Sequence, residues 1–336
     1  MVPRATKTTR PAAGTASDDR SPVKVVIAIP CYNEAATLPT TLAALPRSLP
    51  GAGVVEWMVV DDGSRDDTAE IARAHGVDYI VRHKRNLGLA AAFRTALDAA
   101  LERGADIVVG TDADNQYNAD DIGLLIGPIV AGEADLVVGC RDIGAIPHFS
   151  PVKKLLQQIG SSVIKMLSGL KVDDATSGFR AYSREAALRL VVLSNFTYTH
   201  ETLIQAGYKG LTVKQVVIGV NPPTRPSRLF KSVPEYLRRS VSTMTRAYIL
   251  FRPLRVLGTT GAFIMAAGFY LLGRFLYYYF TVPGPTGHIQ SLLMGGVLLL
   301  LGFQVFIIGL LADLIAANRR LLEDVLYRVK RNQYSR

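Results

Sequence analysis

The chain has 336 residues, 49% of them hydrophobic, and its 38 Lys and Arg against 28 Asp and Glu give a formal charge of +10. That length accommodates one large or two ordinary domains. The only cysteines, Cys31 and Cys140, stand in no metal or redox spacing, which excludes a disulfide scaffold and a zinc site and leaves them as small buried residues at strand ends.

Residues 1–22 are rich in Thr, Ala, Pro and Arg and lack an apolar stretch, so they read as a disordered arm with no secretory signal. From there, apolar β-branched runs recur: VKVVIAIP (23–30), VEWMVVDD (55–62), DYIVRH (78–83), DIVVGTD (106–112) and DLVVGCR (135–141). Helical stretches such as NEAATLPTTLAALP and LGLAAAFRTALDAALERG lie between them. Continuously apolar strands alternating with helices predict βαβ units, an α/β fold with a Rossmann-like, mostly parallel sheet covered on both faces. Ligands bind such sheets at the carboxyl ends of the strands. Those ends are polar here: PCYNE (30–34), DDGSRDDT (61–68), TDADNQ (111–116) and GCRD (139–142). No G-x-G-x-x-G follows the first strand and no P-loop occurs, so dinucleotide enzymes and P-loop NTPases lose their main support.

The stretch GTDADNQYNADD (110–121) crowds four aspartates together. In an extended chain Asp112, Asp114 and Gln116 share parity and turn their oxygens to one side, a donor set suited to Mg²⁺ or Mn²⁺. An EF-hand is excluded, because Tyr117 and Gly123 stand where its loop needs Gly and Glu. A polar loop whose Asp120 or Asp121 caps the following helix is the alternative, and spacing alone leaves both open. His200, in YTHETL, reads as a structural histidine with satisfied ring nitrogens.

Residues 231–255 mix Arg, Tyr and apolar positions and predict an interfacial amphipathic helix. Two segments, 256–280 and 289–317, are long and apolar enough to cross a bilayer, which takes about 20 residues. Arg228, Lys231, Arg238, Arg239, Arg246, Arg252 and Arg255 precede the pair and a basic tail, 318–336, follows it, whereas the connection carries no Lys or Arg. The positive-inside rule then puts the α/β domain and both termini in the cytoplasm and the loop 281–288 on the far side. Arg274 snorkels towards an aromatic belt of Tyr277, Tyr278 and Tyr279. Small residues such as Gly295 and Gly296 suit close helix packing, also between copies of the chain. The basic flanks fit a membrane and anionic substrates, and nothing points to nucleic acid.

The motifs VVIAIPCYNEAATL, VVDDGSRDDT, NLGLAAAFRTAL, TDADNQY and SGFRAYSREA, in this order, resemble glycosyltransferase family 2, whose members have the GT-A fold. With two C-terminal membrane helices the chain most resembles the polyprenyl-phosphate (dolichyl- or undecaprenyl-phosphate) glycosyltransferases. The resemblance covers residues 23–230 for the catalytic domain and extends through the membrane part. It implies transfer of one sugar, a hexosyl group, from a nucleotide sugar to polyprenyl phosphate with inversion and with Mg²⁺ or Mn²⁺, UDP being favoured over GDP. Pro30, Tyr32, Glu34, Asp61 and Asp62 would line the nucleoside pocket, while Ser64 and Asp66 fit capping better. Asp112, Asp114 and Gln116 match the family's metal-binding D-x-D-x-Q. On the acceptor side stand Arg141 and Ser177, with Lys153 and Lys154 divided between phosphate contact and a solvated basic face. Arg225 and Arg228 match a loop that closes over the donor diphosphate. Some relatives carry Asp in T-G-D-F-R where this chain has Gly178 in T-S-G-F-R. Either no base is needed, or Asp173, Asp174 or Glu201 takes part, in that order. A processive polysaccharide synthase is an alternative, but such enzymes carry Q-x-x-R-W, which is absent here, since the only Trp is Trp57. A non-catalytic adaptor or flippase subunit would not need D-x-D-x-Q.

Overall fold

The computed structural model describes residues 22–141, 151–192, 198–222, 253–282 and 287–335, without the side chains of 151–159. The arm 1–21, Arg225 and Arg228, the side chains of Lys153 and Lys154, and the expected interfacial helix up to residue 252 lie outside that set.

The first strand, β1 (Lys24–Cys31), shows why the sheet is covered on both sides. Val25, Ile27 and Ile29 join one buried apolar cluster and Val26 and Ala28 the other, as the two-residue period of a strand requires. Strands β2 (Val54–Asp61), β3 (Tyr79–Arg82), β4 (Ile107–Gly110), β5 (Leu136–Arg141), β6 (Arg180–Ser183) and β7 (Val213–Ile218) complete a seven-stranded sheet ordered β3-β2-β1-β4-β6-β5-β7. All neighbouring pairs are parallel except those of β6, which runs antiparallel to β4 and β5. Helices α1 (Leu38–Ala44), α2 (Thr68–Ala74), α3 (Leu89–Glu102), α4 (Ile122–Val130), α5 (Pro151–Ser168), α6 (Arg184–Arg189) and α7 (Thr199–Tyr208) connect the strands. The lone antiparallel strand has a consequence for the site. Its first residue, Arg180, pairs with Gly110 at the carboxyl end of β4, so the T-S-G-F turn before it enters the edge where the parallel strands end.

Two further helices follow, α8 (Pro253–Thr281) and α9 (Ile289–Gln333). A buried pair in a soluble core would hide its apolar faces, yet Phe263 is 80% exposed and Leu300 69%, so these helices are candidate membrane spans. Glycines bring their backbones together: a Cβ on Gly261 would lie 2.7 Å from Gly302 O, and one on Gly268 3.0 Å from Gly295 O. Gly295 faces this intrachain seam, whereas Gly296 meets nothing within 4 Å among the described residues. Arg274 lies over the Tyr278 ring, 6.0 Å from its centroid.

Helix α9 does not stop at the expected tail but runs on for 45 residues in all. Spaced i,i+4 pairs, Arg319–Glu323 and Asp324–Arg328, support it, and its end docks on the catalytic domain. Lys330 Nζ is 2.6 Å from Asp98 of α3, and Glu323 is 2.9 Å from Lys209. Tyr327 donates to Glu185, and Arg184 donates to the carbonyl of Tyr334. The tail is a helical strap.

Candidate active site

The polar ends of β1 and β2 are laced together before any ligand enters. Asn33 adopts φ 54°, its N–H donates to Ser64 Oγ at 2.9 Å, and its Oδ1 accepts from Arg65 N–H at 2.9 Å. The N–H groups of Glu34 and Ala35 donate to Thr68 Oγ1 and Asp66 Oδ2. Ser64 and Asp66 therefore join two loops as well as shaping their own turn. Burial works to raise the Asp66 pKa, but the Thr68 hydroxyl and the Ala35 and Thr68 N–H groups outweigh it and hold the carboxyl below its usual range. Glu34 accepts the Thr37 hydroxyl at 2.7 Å, Pro30 is half-buried, and Tyr32 is 40% exposed at the rim.

The two aspartates of D-D-G-S divide their work. Asp62 is buried, and its oxygens accept Leu87 N–H, Gly88 N–H and His83 Nδ1, all within 2.8 Å, so it pins the 83–88 loop. Gly63 allows the loop to close: its φ is 73°, and a Cβ there would lie 2.5 Å from the Arg85 carbonyl carbon. Asp61 is wholly buried, and its Oδ1 accepts Ser64 N–H. Arg82 Nε lies 3.0 Å from Asp61 Oδ2 but is not aligned for a hydrogen bond, and Oδ2 has no hydrogen-bond partner among the described residues.

The D-x-D-x-Q loop departs from the extended geometry that shared parity assumed. Strand β4 ends at Gly110, residues 113–114 form a turn, and Asn115 takes φ 54°, a left-handed conformation that asparagine tolerates. Gln116 therefore folds back, and its Nε2 donates to Asp114 Oδ2 at 2.9 Å. Asp112 lies on the Gly178 side of the loop. Thr41 holds the turn through the Ala113 carbonyl, and Asn221 binds the carbonyls of Asn115, Gln116 and Tyr117. Two carboxylates and a carboxamide form a hard oxygen donor set that fits Mg²⁺ or Mn²⁺. Among the described residues no group of three or more His, Cys, Asp or Glu side chains is placed to hold a metal ion.

At the end of β5, Arg141 and Asp174 form a two-point ion pair, Nε to Oδ2 at 2.7 Å and Nη2 to Oδ1 at 3.2 Å. Asp174 Oδ1 also accepts from Thr176 and from Ser177 N–H. Burial works to raise its pKa, but the Arg141 guanidinium outweighs it and holds the carboxyl below the usual range. The engaged carboxylate is an anchor for Arg141 and a poor base. Asp173 is exposed and bonded to Lys165 and Gln215, which lower its pKa. Glu201 is buried and accepts from Gln205 at 3.4 Å. Ser177 is buried too, with its Oγ accepting Phe179 N–H.

Sequence reasoning passed over several residues. Arg180 is fully buried and donates to the carbonyls of Ala175, Ser177 and Thr199 and to the Thr202 hydroxyl, tying the turn to α7. A charged residue between Phe179 and Ala181 on a short strand was its only signal. Tyr117 and Tyr198 hold the Gly178 peptide, and no spacing rule announces that. The reading of His200 as satisfied is overturned, because both ring nitrogens are buried without a hydrogen-bond partner among the described residues. Cys31 and Cys140 are buried at the ends of β1 and β5, and burial raises both thiol pKa values.

The sequence profile of Glycosyl transferase family 2 matches residues 26–190. The undecaprenyl-phosphate mannosyltransferase of Micrococcus luteus is 32% identical over 177 residues, which cover 51% of this chain and 70% of that protein. The UDP-N-acetylglucosamine–dolichyl-phosphate N-acetylglucosaminyltransferase of Methanococcus voltae is 32% identical over 219 residues, 58% of this chain and 84% of that protein. Among solved structures, glucosyl-3-phosphoglycerate synthase of Mycobacterium tuberculosis, bound to Mn²⁺, UDP and glucosyl-3-phosphoglycerate, shares the fold with a TM-score of 0.51. That match is 22% identical and covers 68% of this chain and 79% of the other. With its sheet, its polar strand ends and these relatives, the chain belongs to glycosyl transferase family 2 and is a glycosyltransferase of GT-A type.

Proposed function

We propose that the enzyme transfers a single sugar from a nucleotide sugar, UDP-linked in preference to GDP-linked, to polyprenyl phosphate at the cytoplasmic membrane face, with inversion and with a divalent cation. The observation that carries the reading is a juxtaposition: the Asp112 carboxylate lies beside Gly178, and the adjacent Ser177 N–H donates to Asp174, which anchors Arg141, so the oxygen-donor loop and the guanidinium meet at one turn, in a domain strapped to two apolar helices. The names of the two relatives support the acceptor class.

Asp61, Glu34 and Tyr32 would receive the nucleoside, and Asp61 Oδ2, ion-paired with Arg82 but without a hydrogen bond among the described residues, supplies an acceptor for a base N–H or a ribose hydroxyl. Asp112, Asp114 and Gln116 would hold Mg²⁺ or Mn²⁺, which when bound offsets the charge on the departing nucleotide diphosphate. Arg141, oriented by Asp174, would fix the acceptor phosphate. A phosphate oxygen attacks the anomeric carbon from the face opposite the leaving group, and the bond to the diphosphate breaks with its electron pair leaving on the nucleotide. A phosphate monoester is already anionic near neutral pH, so positioning replaces proton abstraction. The engaged states of Asp173 and Asp174 support a reaction without a base.

Nucleotide release tests this reading. The purified chain with Mn²⁺ and a panel of UDP- and GDP-sugars should release nucleotide only when polyprenyl phosphate is added, and Asp114→Ala should lower that rate about 100-fold or more. Equal release with and without the lipid, or an unimpaired Asp114→Ala, would reject it.

A further inference from the structure

Gly178 sits between two phenols. Its N–H donates to Tyr117 Oη at 3.0 Å, and Tyr198 Oη donates to its carbonyl at 3.3 Å. Each ring is itself held by a stack: Tyr117 on Phe179 at 4.9 Å and 8°, Tyr198 on Phe93 at 3.8 Å and 7°. All four aromatic side chains are buried. The two peptide units that meet at the Gly178 Cα are thus each held by a hydroxyl on a buried, stacked ring.

The space a side chain at 178 would take is bounded by two groups. A Cβ at position 178 would lie 3.0 Å from Tyr198 Oη and 3.5 and 3.6 Å from the two oxygens of Asp112. The Asp112 carboxylate therefore packs directly against the clamped peptide, and Tyr117, five residues further along the same loop, reaches across to hold that peptide. The D-x-D-x-Q loop and the S-G-F turn are locked to each other. Any side chain at 178 meets the Tyr198 hydroxyl first.

We propose that Tyr117 and Tyr198 are positioning residues that act through the Gly178 peptide to fix the Asp112 carboxylate, and that glycine at 178 is a requirement of this clamp. The inference rests on the reading of Asp112 as a metal ligand. It assigns the two tyrosines to the outer support of the cation site, where a lost partner costs about 10-fold or more in metal affinity. It also accounts for a turn without a carboxylate at 178: an acidic side chain there would be driven against Tyr198 and into the field of Asp112.

The test is a double-mutant cycle on the full chain in detergent, with the Mn²⁺ dissociation constant titrated directly by electron paramagnetic resonance of the free ion. Gly178→Ala should weaken Mn²⁺ binding about 10-fold. Tyr198→Phe keeps the stack on Phe93 but removes both a grip on Gly178 and the hydroxyl that the new methyl meets, so it should weaken Mn²⁺ binding on its own, and Gly178→Ala/Tyr198→Phe should lose far less than the product of the two single losses. Tyr117→Phe should lower kcat with little change in donor KM. Losses that simply multiply in the double variant, or Gly178→Ala binding Mn²⁺ as the wild type does, would overturn the clamp. Should Gly178→Ala not fold, the two Tyr→Phe variants decide: unchanged Mn²⁺ affinity and kcat in both would overturn it. A wild-type chain that binds neither Mn²⁺ nor Mg²⁺ would remove the metal reading itself, and the clamp's role with it.

Discussion

Acidification should destabilise this protein through His200. The side chain is 4% exposed, and neither ring nitrogen has a hydrogen-bond partner among the described residues. Burial, reinforced by the positive charge of Arg180 on β6 and only partly offset by Asp174, lowers its pKa from 6.5 to about 4. The unfolded chain, with an ordinary imidazole, takes up the proton first as pH falls. The stability associated with the neutral ring is thus complete above the unfolded pKa and drains away between 6.5 and about 4. From pH 7.5 to 5 the loss from this one group is about 2 kcal/mol. His200→Leu removes the titration and two unsatisfied nitrogens together. The assay is denaturant unfolding in detergent followed by Trp57, the only tryptophan, which is buried in β2 with its indole N–H bonded to Pro46 O. The wild type should lose about 2 kcal/mol more than His200→Leu over that pH range. Equal pH dependence of the two proteins would refute the reasoning.

Asp62→Ala leaves two partly buried backbone donors, Leu87 N–H and Gly88 N–H, without their acceptor, and should cost about 1–2 kcal/mol in the same unfolding assay while weakening nucleotide binding. Reversing one charge of the strap, Lys330→Glu, should cost only about 0.5–1 kcal/mol because the pair is partly exposed. Limited proteolysis within residues 319–335 should nevertheless quicken, and Asp98→Lys in the same chain should slow it again. Gly302→Leu would drive a Cβ to 2.7 Å from the Met265 backbone nitrogen, so the α8–α9 seam must open at about 1–3 kcal/mol, read as faster hydrogen exchange of the α8 amides.

Strands β1 to β5 were legible because each is an apolar run bounded by turn residues, and the polar strand ends followed from them. Strand β6 was not. It is four residues long, begins with an arginine, and is stable only because β4 and β5 flank it and Arg180 finds four buried oxygen acceptors. Strand β7 alternates weakly at a sheet edge, with Val217 74% exposed. The D-x-D-x-Q stretch could be picked out by residue type, but its geometry depended on Asn115 turning left-handed. Asp174 looked like a candidate base as long as its partner Arg141, 33 residues away, was out of view. The tail was weighed by its positive charge alone, which hid Glu323, Asp324 and Tyr327 and with them the helix and its dock. These contacts are tertiary, and local pattern carries no record of them.

The mass of the lipid product tests the central claim most directly. Purified chain, Mn²⁺, polyprenyl phosphate and a donor sugar should give a lipid heavier by one glycosyl unit, lost when a chelator is added and lost in Asp114→Ala. An unchanged lipid with every UDP- and GDP-sugar, from protein that still binds nucleotide, would contradict it.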